Sequence, residues 1–305
     1  MRRHLGPATL TVFLLLMSAS PARQSGEKQQ QAIAAINKLG GRVDVDETRL
    51  GKPAVRVSLE GIAVTDADLS SLHLFGQLRE VDLSGTAITD AGLTHLKRLT
   101  RLETLYCFGT KITDAGLNHR EGLHALHVLN LGGTRVSDAG LAHLAKLNHL
   151  QELYLNETAI TDAGLPRLAD LGELRKLVLS YNAITDEGLA NLPVLPELHT
   201  LNLAGTKVTD MGLGHLKMFA KLRLLHVRGG RVTSRGTDKL REYLPELVVR
   251  HDNRLQIGLP LARPGPAGQA ARTASHHRLP GETRAKMPDK PMPTGPSPPK
   301  EHLQR

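Results

Sequence analysis

Apolar residues return along this chain at a fixed interval. From Ala54 the sequence divides into seven blocks of 24 residues (54–77, 78–101, 102–125, 126–149, 150–173, 174–197, 198–221) and an eighth of 25 (222–246). Positions 1 to 6 of a block read LxxLxL, as in Leu150-Gln151-Glu152-Leu153-Tyr154-Leu155. Positions 4 and 6 point one way and 3, 5 and 7 the other, the alternation of a strand. Position 11 is always Val or Ile, from Val64 to Val232, and position 12 is always Thr or Ser. Leu at positions 16, 19 and 22 gives a short helix one apolar stripe. One block cannot bury its leucine face alone. Stacked blocks bury a continuous core, with a parallel sheet on one side and helices on the other.

Position 13 is Asp in seven of the eight blocks, Ser234 being the exception, and position 16 is Leu in all but one, where Thr237 stands. The Thr before the Asp is a good N-cap, and the Asp itself suits the positive end of a helix dipole. Each Asp is therefore expected to serve the helix of its own block. A stacked column of carboxylates binding calcium is the rival reading. Thr-Asp-Ala-Gly-Leu, as at 89–93, and the LxxLxL run together resemble the leucine-rich repeat family. The chain looks most like the xTDxGLxxLxxLxxLxxLxL variety of bacterial secreted repeat proteins. Ribonuclease-inhibitor-like and F-box-associated repeats are similar. The resemblance covers about 54–246 and implies an α/β leucine-rich repeat solenoid, with a curved sheet that recognises a protein partner on its concave side. Two local departures fall in one block, where Cys107 and Arg120 take leucine positions.

The flanks read differently. Met1-Arg2-Arg3-His4, the apolar run Ala8–Met17 and the small residues up to Ala22 form the pattern of a secretory signal over 1–22. The protein is accordingly expected to be secreted, or periplasmic in the cell envelope. Residues 26–53 read as an N-terminal cap: a helix over Gly26–Leu39, stopped by Gly40-Gly41, then a strand at Arg42–Val45. Residues 54–253 are the solenoid, closed by a longer helix at Asp238–Leu244 and a last strand at Leu247–Val249. Residues 254–305 hold ten of the seventeen prolines and read as a disordered basic tail.

The net charge of +9 belongs to the ends: +3 on 1–25 and +6 on 254–305, which leaves 26–253 neutral. A phosphate-tracking groove would carry its excess on the folded body, so nucleic acid is excluded as a partner. The tail can touch an anionic surface by charge alone. The one cysteine, Cys107, excludes intramolecular disulfides and Cys-rich zinc or iron–sulfur sites. It sits at an inward strand position and reads as a small buried hydrophobe. No stretch reaches the roughly 20 apolar residues of a membrane span. GxSxG, HExxH and P-loop motifs are absent, so no catalytic residue and no cofactor is assigned. His95, His119, His143 and His215 share position 18 but read as a solvated row, not a metal site. Asn156-Glu157-Thr158 matches the glycosylation triplet.

Positions 3, 5 and 7 make up the sheet's outer face, where the core imposes no identity. Tyr106, Phe108 and Tyr154 cluster there within two blocks, with Asn130 between them and Glu152 and Asn156 beside them. These six are the candidate partner-binding residues, because exposed aromatics, tyrosine above all, mark protein contacts. The expected function is an exported, non-enzymatic, monomeric scaffold that binds a protein or peptide. The alternatives are an envelope-associated structural protein docking by its basic tail, and an intracellular F-box-like recognition module.

Overall fold

A computed structural model describes residues 21–251 apart from 120, 121 and 230. The signal segment 1–22, except for Pro21 and Ala22, lies outside the described residues, as do Arg120 and the tail 254–305. Ten strands form one sheet in chain order: β1 Arg42–Val45, β2 Ala54–Ser58, β3 Glu80–Asp82, β4 Thr104–Tyr106, β5 Val128–Asn130, β6 Glu152–Tyr154, β7 Lys176–Val178, β8 Thr200–Asn202, β9 Leu224–His226 and β10 Val248–Arg250. β1 is antiparallel to β2, and every later pair is parallel. From β2 onward each strand lies 24 residues beyond its partner, as in Arg56↔Glu80 and Glu80↔Thr104. The extra residue of the eighth block leaves this step unchanged, since Leu224 pairs with Val248.

From β3 onward the strands are three residues long where positions 3 to 7 alternate in the sequence, but rung-to-rung bonding continues past them. Leu83 donates its N–H to Tyr106 O, and Gly85 donates to Phe108 O. The inward leucines fill the space between sheet and helices. In the fifth block Leu150, Leu153, Leu155, Ile160, Leu165, Leu168 and Leu171 are all fully buried. At about 1.5–3 kcal/mol for each buried leucine-sized side chain, this repeated layer is the main source of stability. Cys107 lies in the same layer and is fully buried; burial pushes its thiol pKa up.

Between the nine-residue 3₁₀ helix Asp66–Leu74 of the first block and the ten-residue helix of the last, the helical side is made of short turns. Asp90–Leu93, Asp138–Leu141, Asp186–Asn191 and Asp210–Leu213 are α-helical, while Gly116–His119 and Leu165–Leu168 are 3₁₀. Thr89, Ser137, Thr185 and Thr209 cap their own helices with the side-chain oxygen, as Thr89 Oγ1 does by accepting from Ala91 N at 3.3 Å. The aspartates do something else. Each carboxylate accepts two hydrogen bonds from the capping residue of the next block, not its own. Asp90 Oδ1 accepts from Thr113 N at 2.8 Å, and Asp90 Oδ2 from Thr113 Oγ1 at 2.6 Å. The same pair of bonds recurs at all seven junctions from Asp66–Thr89 to Asp210–Thr233. This corrects the own-helix reading, and it commits both oxygens that a calcium column would need. The reason is distance: rungs lie about 5 Å apart, within reach of a short carboxylate.

The ends follow the same logic. The first block has no aspartate before it, and Asp68 at position 15 takes over, accepting from Thr65 N at 2.7 Å and Thr65 Oγ1 at 2.8 Å. Helix α1 spans Pro21–Lys38, starting ahead of Gly26, and buries Ala32 and Ile36. The last helix is Ser234–Tyr243, four residues earlier than the Asp238 start read from the sequence. It starts there because Thr233, at the capping position of its block, accepts from Gly236 N.

Candidate functional site

Along β3 to β7 the outward positions line up by register. Asp82, Tyr106, Asn130, Tyr154 and Val178 form one row across neighbouring strands. A second row holds Glu80, Thr104, Val128, Glu152 and Lys176. The six candidate residues therefore do come together on one face. Their exposure, however, is not what a solvated sheet face implies. Tyr106, Phe108 and Glu152 are half-buried, whereas Asn130, Tyr154 and Asn156 are almost closed to solvent, at 0, 4 and 2% exposure. The expectation that the core leaves these side chains unconstrained is corrected for those three. At the spacing of parallel strands, side chains in one row touch, and large ones cover small ones.

The closed residues are held in place by specific contacts. Tyr154 Oη donates to Glu152 Oε2 at 2.5 Å. Lys176 Nζ stands 3.8 Å from Glu152 Oε2 and 4.8 Å from the centre of the Tyr154 ring. Asn130 Oδ1 accepts from Gly132 N at 2.9 Å. The Asn156 amide lies over Gly132, where a Cβ would meet its oxygen at 2.6 Å. A glycan on Asn156 has no room in the folded chain, because that side chain is buried. Arg56 Nε pairs with Glu80 Oε1 at 3.2 Å, so the acidic end of the face is partly neutralised.

The phenols report this setting. Burial raises the Tyr106 pKa to about 12, and the carboxylates of Glu80, Glu152 and Asp82 add to the effect. Tyr154 is pushed well above the usual phenol range by burial and by its bond to Glu152. Among the described residues, no three His, Cys, Asp or Glu converge in a way that could hold a metal ion. His95, His119 and His143 are half-buried and His215 is exposed. A cavity of about 160 Å³ opens at the last two blocks, lined by Val208, Val227, Arg228, Arg231 and His251, away from the aromatic cluster.

Five buried side-chain atoms among the described residues have no hydrogen-bond partner: Asp82 Oδ2, Ser84 Oγ, both amide atoms of Asn156, and Ser180 Oγ. All lie at outward positions of this face, on either side of Tyr106 and Phe108. Asp82, Ser84 and Ser180 are not among the six residues picked from the sequence. Their burial was hidden, because an outward strand position reads as solvated.

The repeat and the fold agree with comparisons to known proteins. A family model described as Leucine Rich repeat matches residues 78–97, 146–169 and 174–192. Three of the chain's repeats match the leucine-rich repeat family, and the fold is that of a leucine-rich repeat solenoid. Internalin C2 of Listeria monocytogenes is a similar solved structure, 26% identical, with a TM-score of 0.53 over 72% of this chain and 92% of that one. An internalin F from the same species is 21% identical over 61% of this chain and 58% of that one, with a TM-score of 0.44. A leucine-rich repeat protein of Leptospira interrogans is 18% identical over 59% and 45%, with a TM-score of 0.45. No curated protein matches the sequence. Of the six candidate residues in this leucine-rich repeat solenoid, the matched family segments include Glu152, Tyr154 and Asn156. No helix among the described residues is long and apolar enough to cross a membrane.

Proposed function

We propose that this leucine-rich repeat protein is an exported, non-enzymatic scaffold that holds a protein or peptide against the outer face of its sheet. Leucine-rich repeat folds are in general scaffolds for protein interaction, and the chain carries no catalytic motif. One observation carries the choice of surface. Tyr106 and Phe108, at successive outward positions of one rung, stay half-open on a face where Asn130, Tyr154 and Asn156 are closed. A partly open aromatic pair ringed by fixed polar groups is the usual make-up of a binding hot spot. In this reading Tyr106 and Phe108 make the contact. Glu152 and Tyr154 hold each other, and Asn130 and Asn156 keep the neighbouring rungs rigid beneath the partner. Export rests on the basic, apolar and small-residue pattern of residues 1–22.

Affinity capture from the source cell's envelope and medium, with the wild-type chain beside a Tyr106→Arg/Phe108→Arg variant, tests this. A partner held by the wild type and lost by the folded variant supports the reading. Partners retained in full by the variant overturn it.

A further inference from the structure

Position 5 of the repeat has a structural task. In the fourth block Asn130 Oδ1 accepts from the N–H two residues on, Gly132, at 2.9 Å, and in the seventh Asn202 Oδ1 accepts from Ala204 N at 3.0 Å. In the second block Asp82 Oδ1 makes the same bond to Ser84 N at 2.9 Å. A neutral carboxamide therefore suffices for the turn. Asp82 adds a negative charge and a second oxygen, and the fold uses neither. Asp82 is fully buried and its Oδ2 has no partner; Ser84, 2% exposed, leaves its hydroxyl without one as well. A buried carboxylate oxygen with no hydrogen bond is costly, and replacing Asp82 by Asn would remove the buried charge, place an amide N–H donor beside the Ser84 hydroxyl and keep the turn bond.

What stands beside the two residues limits what could satisfy them. Tyr106 is in register next to Asp82, and Phe108 is joined to the turn after Ser84 through Gly85 N. Glu80 and Glu152 are already engaged, with Arg56 and with Tyr154 and Lys176. The uncompensated acceptors are thus a carboxylate oxygen and a hydroxyl, flanked by two aromatic rings, in a region whose negative field also reaches the Tyr106 phenol.

We propose that Asp82 and Ser84, walled by Tyr106 and Phe108, receive a cationic side chain of the bound polypeptide, arginine in preference to lysine. This rests on the reading of the outer face as the partner-binding surface. A guanidinium carries donors for both Asp82 Oδ2 and Ser84 Oγ, and its flat faces stack on the rings. An ammonium supplies the charge but not the stacking plane. Because Asp82 is closed to solvent, the half-buried Tyr106 ring turns outward to admit the guest.

The test uses the full chain and a displayed library of random dodecapeptides. Selected peptides should share an arginine whose change to Gln weakens binding about tenfold or more, with Lys intermediate. Asp82→Asn should weaken the arginine peptide by a similar factor, and should add little once that arginine is already Gln. Asp82→Asn should also raise the melting temperature, since Asn performs the turn in two other blocks; a purely structural Asp82 would lower it. Binders that lack a basic residue, or whose arginine is equally important in Asp82→Asn, overturn the arginine site. If those binders are still lost in Tyr106→Arg/Phe108→Arg, the binding face stands and only its cationic specificity falls. Binders indifferent to that double change, or no binders at all, count against both.

Discussion

Asp114 closes over Gly140 on the next rung: a Cβ on Gly140 would stand 2.3 Å from Asp114 Oδ1. The same crowding, at 2.1–2.6 Å, recurs at seven junctions from Gly92 to Gly236. The glycine of the Thr-Asp-x-Gly motif is thus required by the aspartate of the block before it. The first block, with no aspartate ahead of it, carries Asp68 at that position.

The two residues should behave as a coupled pair. Gly140→Ala should destabilise the chain by about 2 kcal/mol, as overpacking does. Asp114→Ala should cost about 2 kcal/mol through its two lost hydrogen bonds to Ser137, allowing for partial exposure. The double variant should lose clearly less than the sum, because removing the carboxylate frees the space. Urea unfolding of all four chains checks this, and strict additivity would refute the steric account.

Acid should loosen the last junction and the first block's cap in a predictable direction. The Thr233 hydroxyl and N–H hold the Asp210 carboxyl below its ordinary value, and Thr65 does the same for Asp68. A lowered folded pKa gives stability that is present above the unfolded value of about 3.9 and is lost as pH falls through the folded one. Melting temperatures followed from pH 7 to 2 should fall below about pH 4. Asp210→Asn should flatten that acid limb, and an unchanged limb would rule Asp210 out as a contributor.

At the alkaline end the sign is reversed. Tyr106 is raised to about 12, so the stability linked to its neutral phenol is intact below the unfolded pKa and is lost as pH rises through the folded one. In a phenolate absorbance titration, Tyr106→Phe should remove one equivalent from the step near pH 12. If the missing equivalent belongs instead to the step near pH 10, Tyr106 is not buried against the acidic residues as described.

The third block has a soft place in its core. A cavity of about 30 Å³ is lined by leucines including Leu105, Leu117 and Leu131 together with Cys107, which stands where every other block but the last has leucine. Cys107→Leu should fill it and stabilise the chain by about 1 kcal/mol, the scale of one to two buried methylenes. Thermal unfolding measures the change, and a lower melting temperature would mean that the space cannot take the larger side chain.

The solenoid was legible because one period governs every inward position, and Leu153 or Ile160 can be read from any other block. The aspartate's partner was not, because Asp90 and Thr113 are 23 residues apart and a motif within one block shows only Thr89 beside it. The turn at position 8 was also obscured. It requires a left-handed backbone, supplied by Gly85 at φ +67, yet Glu157 (+55) and Tyr181 (+59) adopt it too and interrupt the glycine pattern. Tyr106 and Phe108 could be picked out as aromatics on the outer face. That Tyr154 and Asn130 are sealed beneath their neighbours depends on contacts across rungs, which no single block encodes.

Seven junctions joined by the same donors and acceptor have a further consequence. Nothing in an Asp–Thr contact distinguishes one neighbour from another, so a block copied or dropped whole during inheritance leaves every surviving joint matched. Copying errors of 24 codons, the length of a block, are therefore tolerated where shorter ones break the register. The extent of the sheet's outer face is free to change by steps, independently of the residues that give any one rung its chemistry.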